Sequence, residues 1–265
     1  MKRSLAVMAA LLSVLALYLS TRTQAFTGGI VDGRNIRMLI AGGGDATVVF
    51  ENGAGAPLEM WGKVQPDVSR FARTVSYDRA GTGLSDKGPL PRDGRRIAAE
   101  LRLALLSAAV APPYILVGAS FGGPYIRVFA GMYPDDVAGM VLVDPTADNQ
   151  RFDDAAGVPE LESWPDILDQ SRASLVPSGI PVFLIDAVSP LEVPFATEAI
   201  RTLRMKNRPE IEADSLEYQR WLSTFSGGRL VVTNHSGHNV PIEQPELVVA
   251  TIRQVVDEAT RRSHR

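Results

Sequence analysis

The pattern Gly118-Ala119-Ser120-Phe121-Gly122 follows directly on the apolar run Tyr114-Ile115-Leu116-Val117. A sharp strand-to-helix turn at such a G-x-S-x-G lifts a serine hydroxyl clear of the backbone, where it can act as a nucleophile. The flanking glycines have a steric reason: so tight a turn presses backbone against positions 118 and 122, and side chains there would collide. Five residues of this kind arise by chance in roughly one chain in ten of this length and glycine content, so the context must carry the weight. The alternative is an ordinary glycine-rich loop. A serine is a weak nucleophile at neutral pH, so acyl chemistry also needs a base within hydrogen-bonding reach and a third group to orient that base.

The choice of base is narrow, because the chain has three histidines, His235, His238 and His264, and no cysteine. Absent cysteine excludes a thiolate nucleophile, a disulfide framework and a thiolate-ligated metal. His264 sits in a basic tail, and His235 follows the apolar run 230–233 too closely to reach far. His238, in His235-Ser236-Gly237-His238-Asn239, is the expected base, the alternative being a structural loop histidine. Three carboxylates stand open as the orienting group: Asp144, at the end of Val137-Ala138-Gly139-Met140-Val141-Leu142-Val143; Asp186, directly after 181–185; and Glu192, further on.

These residues need a scaffold that gathers them. Short apolar runs at 34–40, 47–51, 75–78, 114–117, 137–143, 181–185 and 230–233 read as strands. Helical patterns at 96–109, after Ser120, and at 245–259 alternate with them, with Pro112-Pro113 as a stop. Such alternation predicts an α/β fold with a mostly parallel sheet covered on both faces, and its sites at the carboxyl ends of strands. Gly42-Gly43-Gly44-Asp45 signals a turn but lacks the third spaced glycine and following helix of a dinucleotide loop. Two connections are long for plain loops: 145–179, rich in Asp, Glu and Pro, predicts a small cap, and 187–228 holds a helical pattern at 211–225.

With 265 residues, 45% of them hydrophobic, the chain has the material for one full domain and no room for a large second one. Residues 1–25 begin with Lys2-Arg3, continue through an apolar stretch over 5–19 and end at Ala25, the form of a secretory signal peptide. At that length the stretch is short of the roughly 20 residues of a membrane span, though retention as an N-terminal anchor is the alternative. The protein is therefore expected to be exported, with the domain over 26–265 and its cap at about 145–180. Removing Lys2, Arg3 and Arg22 takes the net charge from −3 to −6, which argues against a nucleic-acid partner.

Four separated blocks, Tyr77-Asp78-Arg79-Ala80-Gly81-Thr82-Gly83-Leu84-Ser85-Asp86, Gly118 to Gly123, Val137 to Asp144 and Ser236-Gly237-His238, occur in the order and spacing of the α/β-hydrolase superfamily. Over about 34–258 the chain resembles its serine esterase and epoxide-hydrolase-like branch. In most members the acid lies a few residues past the strand matched here by 181–185, where this chain has Pro190. Haloalkane dehalogenases carry it at the end of the preceding strand, and by that resemblance Asp144 is the acid. The resemblance also implies that the oxyanion donors are the amides of Phe121 and, from the loop Asn52-Gly53-Ala54-Gly55, of Ala54. Asn52 stands where the family often has histidine, and Asp78, Arg79 and Ser85 fall in a loop that braces the site.

The expected activity is hydrolysis of a small-molecule carboxylic ester or related acyl bond by Ser120, His238 and Asp144, with no metal or cofactor. A serine nucleophile disfavours dehalogenase and epoxide-hydrolase chemistry, which run through an ester on a carboxylate. Peptidase, amidase or thioesterase action on the same fold, and a ligand-binding receptor with weak hydrolysis, are the alternatives.

Overall fold

The computed structural model describes residues 25–147, 162–187 and 216–263. Eight strands form one sheet: β1 (Ala25–Val31), β2 (Arg34–Ala41), β3 (Thr47–Glu51), β4 (Arg73–Tyr77), β5 (Tyr114–Ala119), β6 (Val137–Val143), β7 (Val182–Ala187) and β8 (Gly228–Thr233). Their order is β1-β2-β4-β3-β5-β6-β7-β8. Pairing is antiparallel for β1 with β2 and β2 with β4, and parallel from β4 onward.

The apolar runs become central strands because each strand can bury alternate side chains in opposite layers. Tyr114 and Leu116 of β5 pack with Ala98, Leu101 and Leu105 of α1 (Gly94–Ser107) and Ile126 and Phe129 of α2 (Gly122–Met132). Their neighbours Ile115 and Val117 face the other layer, made by Trp61, Val64, Val68 and the Val248, Ile252 and Val255 stripe of α4 (Pro245–Ser263). A further helix, α3 (Trp164–Ala173), lays Ile167 against Ile97, Phe121 and Tyr125.

Some boundaries differ from the sequence expectation for local reasons. Helix α1 starts at Gly94 because the Asp93 carboxylate caps it, accepting from Arg96 N at 2.8 Å. Strand β1 is additional. Its Gly28-Gly29 pair weakens the strand signal, but Asp32-Gly33, with φ of 49° and 77°, makes the tight hairpin that pairs it with β2. The turn signal at residues 42–45 does not pair β2 with β3; β4 lies between them. The expected leader falls, except for Ala25, outside the described residues. So do 148–161 of the expected cap and 211–215 of the expected helix at 211–225, within which 216–222 are helical.

Candidate active site

Parallel pairing sets the carboxyl ends of β3, β5, β6, β7 and β8 along one edge of the sheet, and the candidate residues Ser120, Asp144 and His238 follow those ends. Ser120 leaves β5 with φ of +52°, a left-handed conformation that an L residue adopts only where its surroundings enforce it. Ser120 N donates to Val143 O at 3.1 Å, and Ser120 O accepts from Gly123 N at 2.9 Å and Thr146 N at 3.0 Å. The turn is thus tied both to β6 and to the start of α2. A Cβ at position 118 would stand 2.3 Å from Gly122 O, and one at 122 would stand 2.4 Å from Glu51 O. Glycine at both positions is a steric requirement, as the pattern implied. Ser120 itself is half-buried.

The register Ala119↔Val143 puts Asp144, the residue directly after β6, beside the serine turn. Asp144 is also left-handed, with φ of +41°, and its amide donates to Ile185 O at 2.8 Å. Its two carboxylate oxygens have separate partners: Oδ1 accepts from Ala187 N at 3.0 Å, and Oδ2 lies 2.7 Å from Nδ1 of His238. The His238 side chain is half-exposed, on a loop fixed where the Glu243 carboxylate accepts from Gly237 N at 2.6 Å. Nδ1 faces the carboxylate, so any proton that the ring exchanges with a bound molecule passes through Nε2.

The other sequence candidates go elsewhere. His235 has Nδ1 3.1 Å from Asn234 Oδ1, and its amide donates to Thr233 Oγ1. Asp186 is buried and its Oδ2 accepts from Gln219 Nε2 at 3.4 Å. Glu192 and His264 lie outside the described residues.

On the other side of the serine, the chain leaving β3 turns back over the site. Gly53 lies beside it: a Cβ there would be 3.4 Å from Ser120 Cβ. The loop is held by Asn52, whose Nδ2 donates to Tyr77 O at 2.7 Å and Ala56 O at 3.1 Å, while Oδ1 accepts from Trp61 Nε1 at 2.8 Å. Underneath it lies the Arg79 guanidinium, 1% exposed. It donates to Glu51 Oε1 at 2.6 Å, Asn52 O at 2.8 Å and Gly53 O at 2.6 Å, and stacks 4.9 Å from the centre of the Tyr125 ring. Tyr77 OH donates to the second Glu51 oxygen. Asp78 ties the flanking turns together, accepting from Leu58 N, Leu84 N and Arg37, and Ser85 Oγ donates to Asp78 O.

That grip orients the Gly53–Ala54 peptide. In a trans peptide the C=O and N–H point in opposite directions. With Gly53 O drawn inward to Arg79, Ala54 N–H is aimed away from the interior, and among the described residues it makes no hydrogen bond. Phe121, at the entry to α2, sits at a helix N-terminus, where backbone amides favour negative charge. Phe121 and Ala54 also share an apolar cluster with Ile97, Tyr125, Ile167 and Trp164. Two contributors escaped the sequence reading. Glu51 carried a signal, a lone carboxylate ending an apolar strand; Thr146, whose Oγ1 is 3.4 Å from Ser120 Oγ, carried none.

A mostly parallel eight-stranded sheet with a strained serine turn and a histidine–aspartate contact along one edge is the plan of an α/β hydrolase. Residues 46–183 match the model of the alpha/beta hydrolase fold family, and the chain belongs to that family. It is 36% identical over 104 residues to the uncharacterized protein YqjL of Bacillus subtilis, a stretch covering 39% of this chain and 41% of YqjL. The chain thus spans less than half the length of that relative. Over 223 residues, 81% of this chain and 82% of the relative, it is 26% identical to pyrrolizixenacetamide deacetylase of Xenorhabdus hominickii. Among solved structures, a thermophilic esterase from Thermogutta terrifontis shares the fold with a TM-score of 0.64 and 18% identity, covering 88% of this chain and 97% of that one.

Proposed function

We propose that the protein is a serine hydrolase that cleaves a carboxylic ester or related acyl bond of a small molecule through an acyl-enzyme. Ser120 Oγ attacks the carbonyl carbon while Nε2 of His238 takes its proton, and Asp144 holds the ring and stabilises the imidazolium. The amides of Phe121 and Ala54 receive the oxyanion. His238 then returns the proton to the leaving group, activates a water, and the second tetrahedral intermediate collapses to acid and free Ser120.

The observation that carries this reading is the 2.7 Å contact between His238 Nδ1 and Asp144 Oδ2, made by loops from separate strands beside a serine in strained backbone. Strain of this kind, about 1–3 kcal/mol, persists where surrounding structure enforces it and clusters at active sites. The names of two similar proteins, a deacetylase and an esterase, support hydrolysis of an acyl bond.

A fluorophosphonate probe tests the proposal. The full-length protein is expected to be labelled at Ser120, with labelling abolished in Ser120→Ala while the fold, followed by circular dichroism, is retained. A folded wild type that stays unlabelled refutes it.

A further inference from the structure

Thr146 is 4% exposed, and its backbone is fixed at both ends: its amide donates to Ser120 O at 3.0 Å and its carbonyl accepts from Tyr218 OH at 2.5 Å. The side chain is therefore held against the nucleophile, with Oγ1 3.4 Å from Ser120 Oγ. Among the described residues this hydroxyl has no other hydrogen bond. At 3.4 Å the contact is long for O–H···O, which is strongest near 2.7–2.8 Å. A buried hydroxyl so poorly satisfied is costly unless something else completes it.

Its side of the site identifies that partner. The sheet order places the Asn52–Ala54 loop, from β3, on one flank of Ser120, and Asp144, Thr146 and His238, from β6 and the loop after β8, on the other. On the proposed acyl-transfer reading, the oxyanion occupies the β3 flank. The leaving group must take its proton from His238, so it occupies the β6 flank, beside Thr146.

We infer that Thr146 Oγ1 is a substrate contact that accepts a hydrogen bond from the N–H of a scissile amide, so that the site is equipped for secondary amides as well as esters. As the tetrahedral intermediate collapses, the C–N bond breaks and its electron pair goes to nitrogen. Nitrogen takes the proton from Nε2 of His238 and leaves as the amine, keeping its own hydrogen, which remains hydrogen-bonded to Thr146 Oγ1 until the amine departs. An amide nitrogen carries this hydrogen and an ester oxygen does not, while the hydroxyl can serve as acceptor in the first case and donor in the second. Only the amide needs the acceptor, and discrimination follows from losing it.

The inference rests on the acyl-transfer reading, so the test separates the two. Acetyl and butyryl groups are each offered to the full-length protein as the p-nitrophenyl ester and as the p-nitroanilide. The readout is the anilide-to-ester ratio of kcat/KM within each variant, with fluorophosphonate labelling of Ser120 as a check on the fold and the nucleophile. Thr146→Val, which keeps the shape and removes the oxygen, is expected to lower the ratio by about tenfold or more, the loss of a hydrogen bond made in the transition state. Thr146→Ser, which keeps the oxygen, is expected to restore it. An unchanged ratio in a labelled Thr146→Val protein, or a wild type that cleaves the esters and neither anilide, overturns the inference and leaves the acyl-transfer reading standing. A wild type that neither labels nor cleaves the esters overturns both.

Discussion

Replacing Arg79 by methionine should both destabilise the protein and loosen the loop 52–55, the proposed oxyanion loop. The guanidinium and the Glu51 carboxylate are each 1% exposed and 2.6 Å apart. Breaking a buried pair by removing one partner costs about 3–5 kcal/mol, because the remaining charge stays buried without its counter-charge, and here Glu51 keeps the hydroxyl of Tyr77 as a neutral donor. The carbonyl of Asn52 loses the guanidinium donor in the same step, and that of Gly53 is left with Ala56 N at 3.2 Å. For a chain of this size, about 2–4 °C per kcal/mol converts the loss into a melting temperature lowered by roughly 6–20 °C.

Two companion variants divide the effect. Arg79→Met with Glu51→Gln removes the stranded charge and should recover about 0.5–3 kcal/mol of the loss, the usual size of coupling between residues of one network. Arg79→Lys keeps a charge but not the planar fork that reaches a carboxylate and two carbonyls at once. It should therefore fall between wild type and Arg79→Met in stability, and lower kcat more than it raises KM, since an oxyanion donor acts in the transition state. Urea denaturation of the full-length proteins and turnover of a p-nitrophenyl ester give the measurements. A loss below about 1 kcal/mol in Arg79→Met, or a double variant no more stable than the single, would refute the argument that the buried pair braces this loop.

Asp144→Asn should lower kcat by several orders of magnitude, the loss being about 10⁴ for the equivalent change in serine proteases. The asparagine oxygen can keep the bond from Ala187 N, so its NH₂ faces Nδ1 and forces the tautomer with Nε2 protonated, which cannot accept the serine proton; Asp186→Asn having that effect instead would move the acid. Gly118→Ala drives a methyl to 2.3 Å from Gly122 O and should cost about 1–3 kcal/mol in urea denaturation, as overpacking does, with a neutral outcome meaning that the turn is laxer than described.

Much of this site was legible because its chemistry is tied to local pattern. The apolar run into Gly118-Ala119-Ser120-Phe121-Gly122 dictates a buried strand and a tight exit, and the sheet supplies both. Asp144 was reached through the resemblance rather than the pattern, since Asp186 sits as plausibly at a strand end. The two are separated by which side chain the register aims at the histidine loop, a property of pairing between β6, β7 and β8 that no single segment contains. The brace under the proposed oxyanion loop was half visible. Arg79 was assigned a structural role, but Glu51, 28 positions away, becomes its partner only when β3 and β4 lie side by side. Thr146 gave no signal at all, because one threonine after a strand resembles any other until its neighbour is known.

The two strained residues make a related point about how the site is built. Ser120 and Asp144 leave adjacent parallel strands, and both have positive φ although neither is glycine. A serine side chain does not favour that conformation and an aspartate only tolerates it; the neighbouring backbone holds both residues there. Ser120 N reaches Val143 O, and Asp144 N reaches Ile185 O, so each residue continues the ladder of the next strand while its own chain turns away. Thr146 N then closes back onto Ser120 O. These bonds make the two turns one unit. A displacement of β6 relative to β5 would move the proposed nucleophile, the acid and the Thr146 hydroxyl together, and their relative geometry depends on sheet register more than on the loops around them.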